Sequence, residues 1–296
     1  MSRHSEGFPS CHPAGALSAR SRRIRRLAGP LALALSLPVV ALAASPPFPW
    51  PNGAKAAVVL SYDDGVDVQL DHAAPDLEAV GFRGTFYLPG QSESLAKRMP
   101  EWRALAARGH ELGNHAIFHP CLRSVPEGGR DWVRPEWALE SYTVERIRAE
   151  VAAMNTTLLA LDGQTVRTFG YNCGDTTAGG ESYVEALRPM FLAARAVGDK
   201  IADDVWGLDP MLVPSWIPQN VSGDALVAFA RKALDAGGLA VFCFHGIGGG
   251  HDISVSREAH RQLLAWLDAD RKTVWTDTFR NVMTHVVAEQ KRLAPR

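Results

Sequence analysis

From Ala56 almost to the C-terminus, apolar runs of strand length alternate with helical stretches, and this alternation constrains the fold more than any other feature. Ala56-Ala57-Val58-Val59-Leu60-Ser61 is continuously apolar, the pattern of a strand buried on both faces. Further strands are expected at 84–88, 110–114, 166–171, 191–194, 211–216, 239–244 and 273–276. Helices are expected at 72–80, stopped by Gly81, and at 100–108, with Pro100 in the first turn and Gly109 at the end. A long helix is expected over 135–161. Others fit 224–236, flanked by Ser222 as cap and Gly237 as stop, and 257–269. Strand–helix alternation implies parallel strands joined by right-handed crossovers, hence an α/β domain. A doubly wound open sheet and a (β/α) barrel both satisfy it. Seven or eight repeats without a glycine-rich dinucleotide loop favour the barrel.

Composition matters mainly for what it excludes. The 296 residues are 46% hydrophobic and 21% charged, which is globular rather than disordered chemistry. The net charge of −1 conceals an asymmetry: residues 1–44 hold six Arg and one acid, Glu6, and the remainder carries 25 basic and 31 acidic side chains. An acidic working domain disfavours a nucleic-acid partner. Arg20, Arg22, Arg23, Arg25 and Arg26 precede an apolar run from Leu27 to Ala44, and the run ends near the small residues Ala41-Leu42-Ala43. That order is expected of a secretory signal peptide over 1–44, with an uncleaved anchor as the alternative. The run is broken by Pro30 and Pro38 and is short for a membrane span, so no span is expected beyond the signal segment. The protein is therefore expected to be secreted or periplasmic. Residues 45–55, with Pro46, Pro47, Pro49 and Pro51, are expected to form a stiff linker, leaving 56–296 as a single domain. Loss of Cys11 with the leader leaves Cys121, Cys173 and Cys243, enough for one bridge and one free thiol, with no indication of which.

Functional groups of a barrel project from the C-terminal ends of its strands. The first strand runs into Ser61-Tyr62-Asp63-Asp64-Gly65. Adjacent carboxylates there point different ways, so one can ligate a metal while the other takes a proton; a plain Asp-Gly turn is the simpler alternative. The third strand ends in Asn114-His115-Ala116-Ile117-Phe118-His119. Two His four apart share a face of a helical turn, and with Asp64 they make a donor set suited to Zn²⁺ or a similar divalent ion. Leu239–Phe244 runs into His245, well placed as a general acid or base. The segment Gly246-Ile247-Gly248-Gly249-Gly250-His251-Asp252 lacks the ending of a phosphate loop, so a flexible mouth loop with a solvent-exposed His251 is expected.

The order of these motifs, Ser-Tyr-Asp-Asp-Gly, then His115 and His119, then an apolar strand ending in His245, resembles the polysaccharide deacetylase family, the NodB-like carbohydrate esterases of family 4. The resemblance runs from about Ala56 to Val287. It implies a distorted (β/α)7-type barrel and a hydrolase that removes acetyl groups from N- or O-acetylated polysaccharide or oligosaccharide. It implies a divalent metal, Zn²⁺ foremost, with Co²⁺, Ni²⁺ and Mn²⁺ as alternatives. Asp64, His115 and His119 match the metal ligands, Asp63 the base and His245 the acid. Tyr171 and Cys173 fall in the loop whose backbone amide helps hold the oxyanion, the Cys173 N–H being the candidate and its thiol incidental. Three departures stand out. Ala116 replaces the usual Ser or Thr, which removes a bracing hydrogen bond. The family arginine aligns with Gly170, leaving Asp63 to find a cation in Arg195 or Arg167. No Asp-x-x-Asp-Trp segment is recognisable, so Asp199, Asp203, Asp204 and Asp209 are all candidates to orient His245. Trp132, Trp137, Trp206 and Trp216 are candidates for stacking on sugar. Two other functions fit the same residues: hydrolysis of a non-sugar C–N amide, or carbohydrate binding with weakened turnover. The sequence carries no signal for an oligomeric state.

Overall fold

The computed structural model of the chain describes residues 46–126 and 128–293. The leader expected over 1–44 lies outside the described residues. The strands are β1 (Ala56–Asp63), β2 (Thr85–Leu88), β3 (Glu111–Asn114), β4 (Thr168–Gly170), a short pair β5 (Thr177–Ala178) and β6 (Glu181–Ser182), β7 (Ala193–Arg195), β8 (Leu239–Phe244), β9 (Gly246–Ile247), β10 (Ser254–Val255) and β11 (Val274–Thr276). The helices are α1 (Ala74–Ala79), α2 (Glu93–Lys97), α3 (Met99–Ala107), α4 (Val144–Asp162), α5 (Val184–Leu187), α6 (Gly223–Ala236), α7 (Arg257–Ala269) and α8 (Phe279–Leu293).

The main sheet is parallel, in the order β11-β1-β2-β3-β4-β7, with β8 also paired to β1. Between β7 and β8 runs the segment 211–216. Val213 exchanges hydrogen bonds with Ala194 and Ala196, and Trp216 does so with Val241 and Cys243. The sheet thereby curls into the distorted barrel that the alternation implies. This sixth stave is not the regular strand expected from its apolar pattern, because Pro214 in its middle has no N–H to donate.

Strand periodicity divides the core in two. Val58, Leu60 and Tyr62 of β1 point outward and pack with Leu77, Trp102, Leu226, Phe229 and Leu263 beneath the helices. Ala57 and Val59 point inward with Tyr87, Leu239 and Val241, above Phe279, Val282, Met283 and Val286 of α8. A strand buried on both sides must be apolar throughout, which is why β1 shows no alternation of its own. Helix α8 closes the bottom of the barrel. Buried Glu111 accepts the Arg280 N–H at 2.8 Å, and the Thr85 hydroxyl accepts that of Phe279 at 2.8 Å.

Helix ends follow local chemistry. Ser222 and Ser256 cap α6 and α7 by accepting the amides of Ala225 and Ala259, and Gly237 closes α6 in the left-handed region. The helix expected from 135 begins only at Val144. The stretch before it makes two single 3₁₀ turns, Pro135–Trp137 and Leu139–Ser141, separated by an extended Ala138. Thr143 then caps α4 by accepting the Arg146 N–H. The proline-rich stretch docks on the domain rather than bridging to it. Phe48 and Trp50 are buried beside Trp206, Trp275 and His285, and Trp50 Nε1 donates to the Gly237 carbonyl at 3.0 Å. No helix among the described residues is long and apolar enough to cross a membrane.

Just before β4, Arg167 is buried on Asp162 at 2.7 Å and also donates to the carbonyls of Leu112 and Gln164. Removing one partner of a buried pair strands the other charge. Arg167→Met is therefore expected to lower unfolding stability by about 3–5 kcal/mol in chemical denaturation, with metal affinity unchanged.

Candidate metal centre

The inward parity of each strand carries straight into the mouth of the barrel. In β1 the inward series 57, 59, 61 ends on Asp63; in β8 the series 239, 241, 243 continues to His245. β7 ends on Arg195, and the residue after β3 is His115. These side chains converge on a cavity of about 840 Å³ whose wall includes Asp63, Asp64, His115, His119, Arg195, His245 and His251.

Asp63 is almost fully buried, and its two oxygens have different surroundings. Oδ2 accepts Arg195 Nη2 at 2.5 Å and the Cys243 thiol at 3.2 Å. Oδ1 is buried with no hydrogen-bond partner. Burial alone would raise the pKa of this carboxyl. Arg195, helped by His115 and His245, overrides that and holds it below the ordinary carboxylate value. Arg195 is itself fully buried, lying over the Tyr87 ring at 5.1 Å and donating to Ser215 at 3.3 Å. It pairs in register with Gly170 across the β4–β7 ladder. A Cβ on Gly170 would meet Arg195 Nη2 at 2.8 Å and His115 Nδ1 at 3.2 Å. The cation missing from position 170 is thus supplied by the neighbouring strand, through the space that a glycine leaves open. Arg167 does not take this role, since it is held at the opposite end of β4 by Asp162.

Asp64 leaves the strand with φ of +74°, which turns its carboxylate away from that of Asp63. Its Oδ1 lies 3.3 Å from His119 Nε2 and 3.6 Å from His115 Nε2, and it has no hydrogen-bond donor. One ligand atom from each of the three lies within 4.8 Å of the others. His115 Nδ1 donates to the Gly170 carbonyl at 2.8 Å, which leaves the Nε2 lone pair facing Asp64. Burial pushes the His115 pKa down to about 4, so the ring is neutral, as a ligand must be. An orphaned carboxylate oxygen, two imidazole nitrogens and a fixed tautomer fit a divalent cation of the zinc class. The Asp64 carboxyl is held well below its ordinary pKa. Burial opposes this, and the hydrogen bond from His251, with His119 and His245 close by, outweighs it.

The two His do not share a helical turn, as their spacing suggests. Ala116 and His119 have φ of +59° and +50°, and the chain bends irregularly between them, bringing the rings to 4.8 Å. Of the seven non-glycine residues with positive φ among those described, Asp64, Ala116, His119 and Cys173 all belong to this site. Such strain persists only where the surroundings over-determine the conformation. Here the Ala116 amide is held by Asn114 Oδ1, and those of Ile117 and Phe118 by Glu150 Oε1, with Tyr142 donating to Glu150 Oε2. The bracing bond lost with Ala116 is replaced from α4. A Cys121–Cys173 disulfide joins the loop after β3 to the loop after β4, so the Cys173 thiol is not incidental, and among the described residues Cys243 is the free, buried thiol.

Cys173 lines the cavity with φ of +54°, inside a turn whose Gly174 and Asp175 amides are bonded to the Tyr171 and Asn172 carbonyls. The Tyr171 ring packs inward on Phe169 and Tyr183 and serves the wall of the site rather than its opening. None of the four aspartates suggested for His245 orients it. Asp209 pairs with Arg188, Asp199 accepts from Ile217, and Asp203 and Asp204 accept nearby amides. Instead, Gln69 Nε2 ties the carbonyls of Asp63 and His245 together. His251 is half-buried, with Nε2 3.3 Å from Asp64 Oδ2, and is not the exposed residue that the glycine-rich segment suggests. Trp132 lines the cavity 6.4 Å from the His119 ring, and Trp137 stacks on Phe118. Trp216 packs on Phe229 and Phe242, and Trp206 on Phe48, so both belong to the core.

The Asp63–Arg195 pair sets a pH dependence. With its folded pKa below the unfolded value, ionised Asp63 contributes stability above that value, and the contribution is lost as pH falls through the folded pKa. Arg195→Met removes the strongest influence opposing burial, so the carboxyl pKa rises relative to the parent. The Asp63 carboxyl of the variant is expected to titrate at higher pH than that of the parent, and carboxyl NMR across a pH series checks it.

Comparison with known proteins places this geometry in context. Residues 51–187 match the family model for polysaccharide deacetylase. A stretch of 75 residues is 36% identical to the peptidoglycan-N-acetylglucosamine deacetylase of Bacillus cereus, covering 25% of this chain and 26% of that protein. The match thus spans about a quarter of that curated relative's length. The crystal structure of a candidate polysaccharide deacetylase from Mycobacterium smegmatis covers 86% of this chain and 98% of its own, with a TM-score of 0.59 at 18% identity, which shows a shared fold. Residues 51–187 thus carry the sequence pattern of the polysaccharide deacetylase family, and the barrel they help to build shares the fold of the Mycobacterium smegmatis protein.

Proposed function

We propose that the chain is a metal-dependent hydrolase that removes acetyl groups from N- or O-acetylated carbohydrate. One observation carries this: two adjacent carboxylates each keep one buried oxygen without a partner, one facing a pair of imidazoles and the other facing the cavity. Asp64, His115 and His119 would hold the cation, Zn²⁺ foremost; when bound, it supplies Lewis acidity toward the acetyl carbonyl and makes a water more acidic.

The remaining work falls to the chain's own groups. Asp63 Oδ1, kept ionised by the pairing of Oδ2 with Arg195, accepts the proton of the attacking water. The Cys173 main-chain N–H donates to the oxygen on which negative charge develops. His245 gives its proton to the departing sugar nitrogen or oxygen. Burial lowers its pKa, against the pull of Asp63 and Asp64, so the protonated ring is a stronger acid than free imidazolium. Trp132, two-thirds exposed at the rim, offers a face for a pyranose ring. The name of the Bacillus cereus relative favours an N-acetylated glycan as substrate. Export from the cytosol is supported by the Arg-rich, apolar leader and by the Cys121–Cys173 disulfide, a bond that persists in oxidising compartments.

A panel of N-acetyl and O-acetyl saccharides, assayed for acetate with and without chelator, tests the proposal. Release is expected that chelation abolishes and Zn²⁺ or Co²⁺ restores. Ring-opening of cyclic amides without acetate release would transfer the chemistry to a non-sugar amide, and saccharide binding without any turnover would make the chain a binding protein. Asp64→Ala is expected to lose metal binding in calorimetry. Asp63→Asn should keep the metal and lose roughly 10²–10⁴-fold in turnover.

A further inference from the structure

His251 sits at the tip of the loop that joins β9 to β10, and its position there is closely determined. Gly248, Gly249 and Gly250 have φ of +71°, +107° and +79°, a left-handed run open to glycine that folds the chain back over the mouth. The base of the loop is pinned where the Gly246 amide donates to Ile253 and that of Gly248 to Val255. A Cβ on Gly250 would meet Val68 at 2.6 Å, so the loop lies tightly against the segment after Gly65.

The ring itself is oriented at both nitrogens. Nδ1 accepts the Ile253 N–H at 3.0 Å, so the ring proton resides on Nε2. Nε2 faces Asp64 Oδ2 at 3.3 Å. His245 Nε2 is 3.8 Å from the same oxygen, beyond hydrogen-bond range. Asp64 is thus divided: Oδ2 is engaged by His251, while Oδ1, with no donor, faces His115 and His119.

We propose that His251 is a positioning residue of the metal centre, whose Nε2–H holds Asp64 Oδ2 so that Asp64 offers the cation Oδ1 alone. This rests on the metal-dependent reading above. An untethered carboxylate rotates freely about its side-chain bonds and can turn either oxygen, or both, toward the ion. Fixing it in advance lowers the cost of binding and leaves His245 unencumbered. Because its Nε2 carries the proton, His251 does not itself ligate.

The experiment uses the full chain, stripped of metal and titrated with Zn²⁺ against a competing chelator. His251→Ala is expected to bind Zn²⁺ about 10–100-fold more weakly than the parent, the usual range for losing a donor behind a ligand. His251→Gln, whose amide N–H reaches the same position, is expected to recover most of the affinity. The Co²⁺-loaded parent and His251→Gln should share one visible absorption spectrum, and metal-free His251→Ala should unfold at the parent's midpoint. Equal Zn²⁺ affinity in His251→Ala and the parent would overturn the inference alone. So would an altered Co²⁺ spectrum with no recovery in His251→Gln, since His251 would then be a ligand. A parent chain that binds no Zn²⁺ would overturn the metal-dependent reading and this inference with it.

Discussion

A carboxylate at the end of a strand buried on both faces stays ionised only beside a compensating charge, and for Asp63 that charge is Arg195. Much of the mouth can be understood from this pair. Arg195 reaches Asp63 across Gly170, where a side chain would occupy the same volume. The guanidinium lies over the Tyr87 ring, and Gly113 leaves room for that ring, since a Cβ there would meet it at 2.3 Å. One oxygen of Asp63 is committed to the pair, and the other is left to face the cavity. A buried ion pair contributes little net stability by itself, because desolvation offsets much of the attraction. Its effect here is on ionisation and on orientation.

Two of the three candidate ligands, Asp64 and His119, have positive φ, and the chain around the His pair is held by hydrogen bonds from other segments. Glu150 reaches from α4 to two amides of the loop after β3, and Asn172 donates to the His115 carbonyl from the loop after β4. The disulfide joins the same two loops, and Gln69 links the ends of β1 and β8. The strained conformations are therefore fixed from several directions, which is the condition under which such strain persists.

Several features were legible in the sequence because they depend on short-range chemistry. The apolar runs marked most of the staves, since a doubly buried strand must be apolar along its length. Ser222 and Gly237 marked the ends of α6, since capping needs only neighbouring residues. The pairs Asp63–Asp64 and His115–His119 stood out because chemistry at strand ends calls for those residue types together. Apolar spacing before Thr143 mimics a helix, but the extended Ala138 interrupts it, so α4 starts at Val144. The docking of Phe48 and Trp50 went unseen because proline content describes stiffness and says nothing of what aromatic rings find to cover.

The sequence by itself determined the strand–helix rhythm, the placement of Asp63 and His245 at the ends of strands, and the chemical types available there. Only the tertiary structure decided which arginine meets Asp63, which cysteine meets Cys121, which helix braces the His loop, and that His251 turns inward to Asp64. The reason is physical. Periodicity and capping act over a few residues, whereas these pairings join segments 32 to 187 residues apart along the chain. Their partners are selected by the curl of the sheet, and no local pattern records that curl.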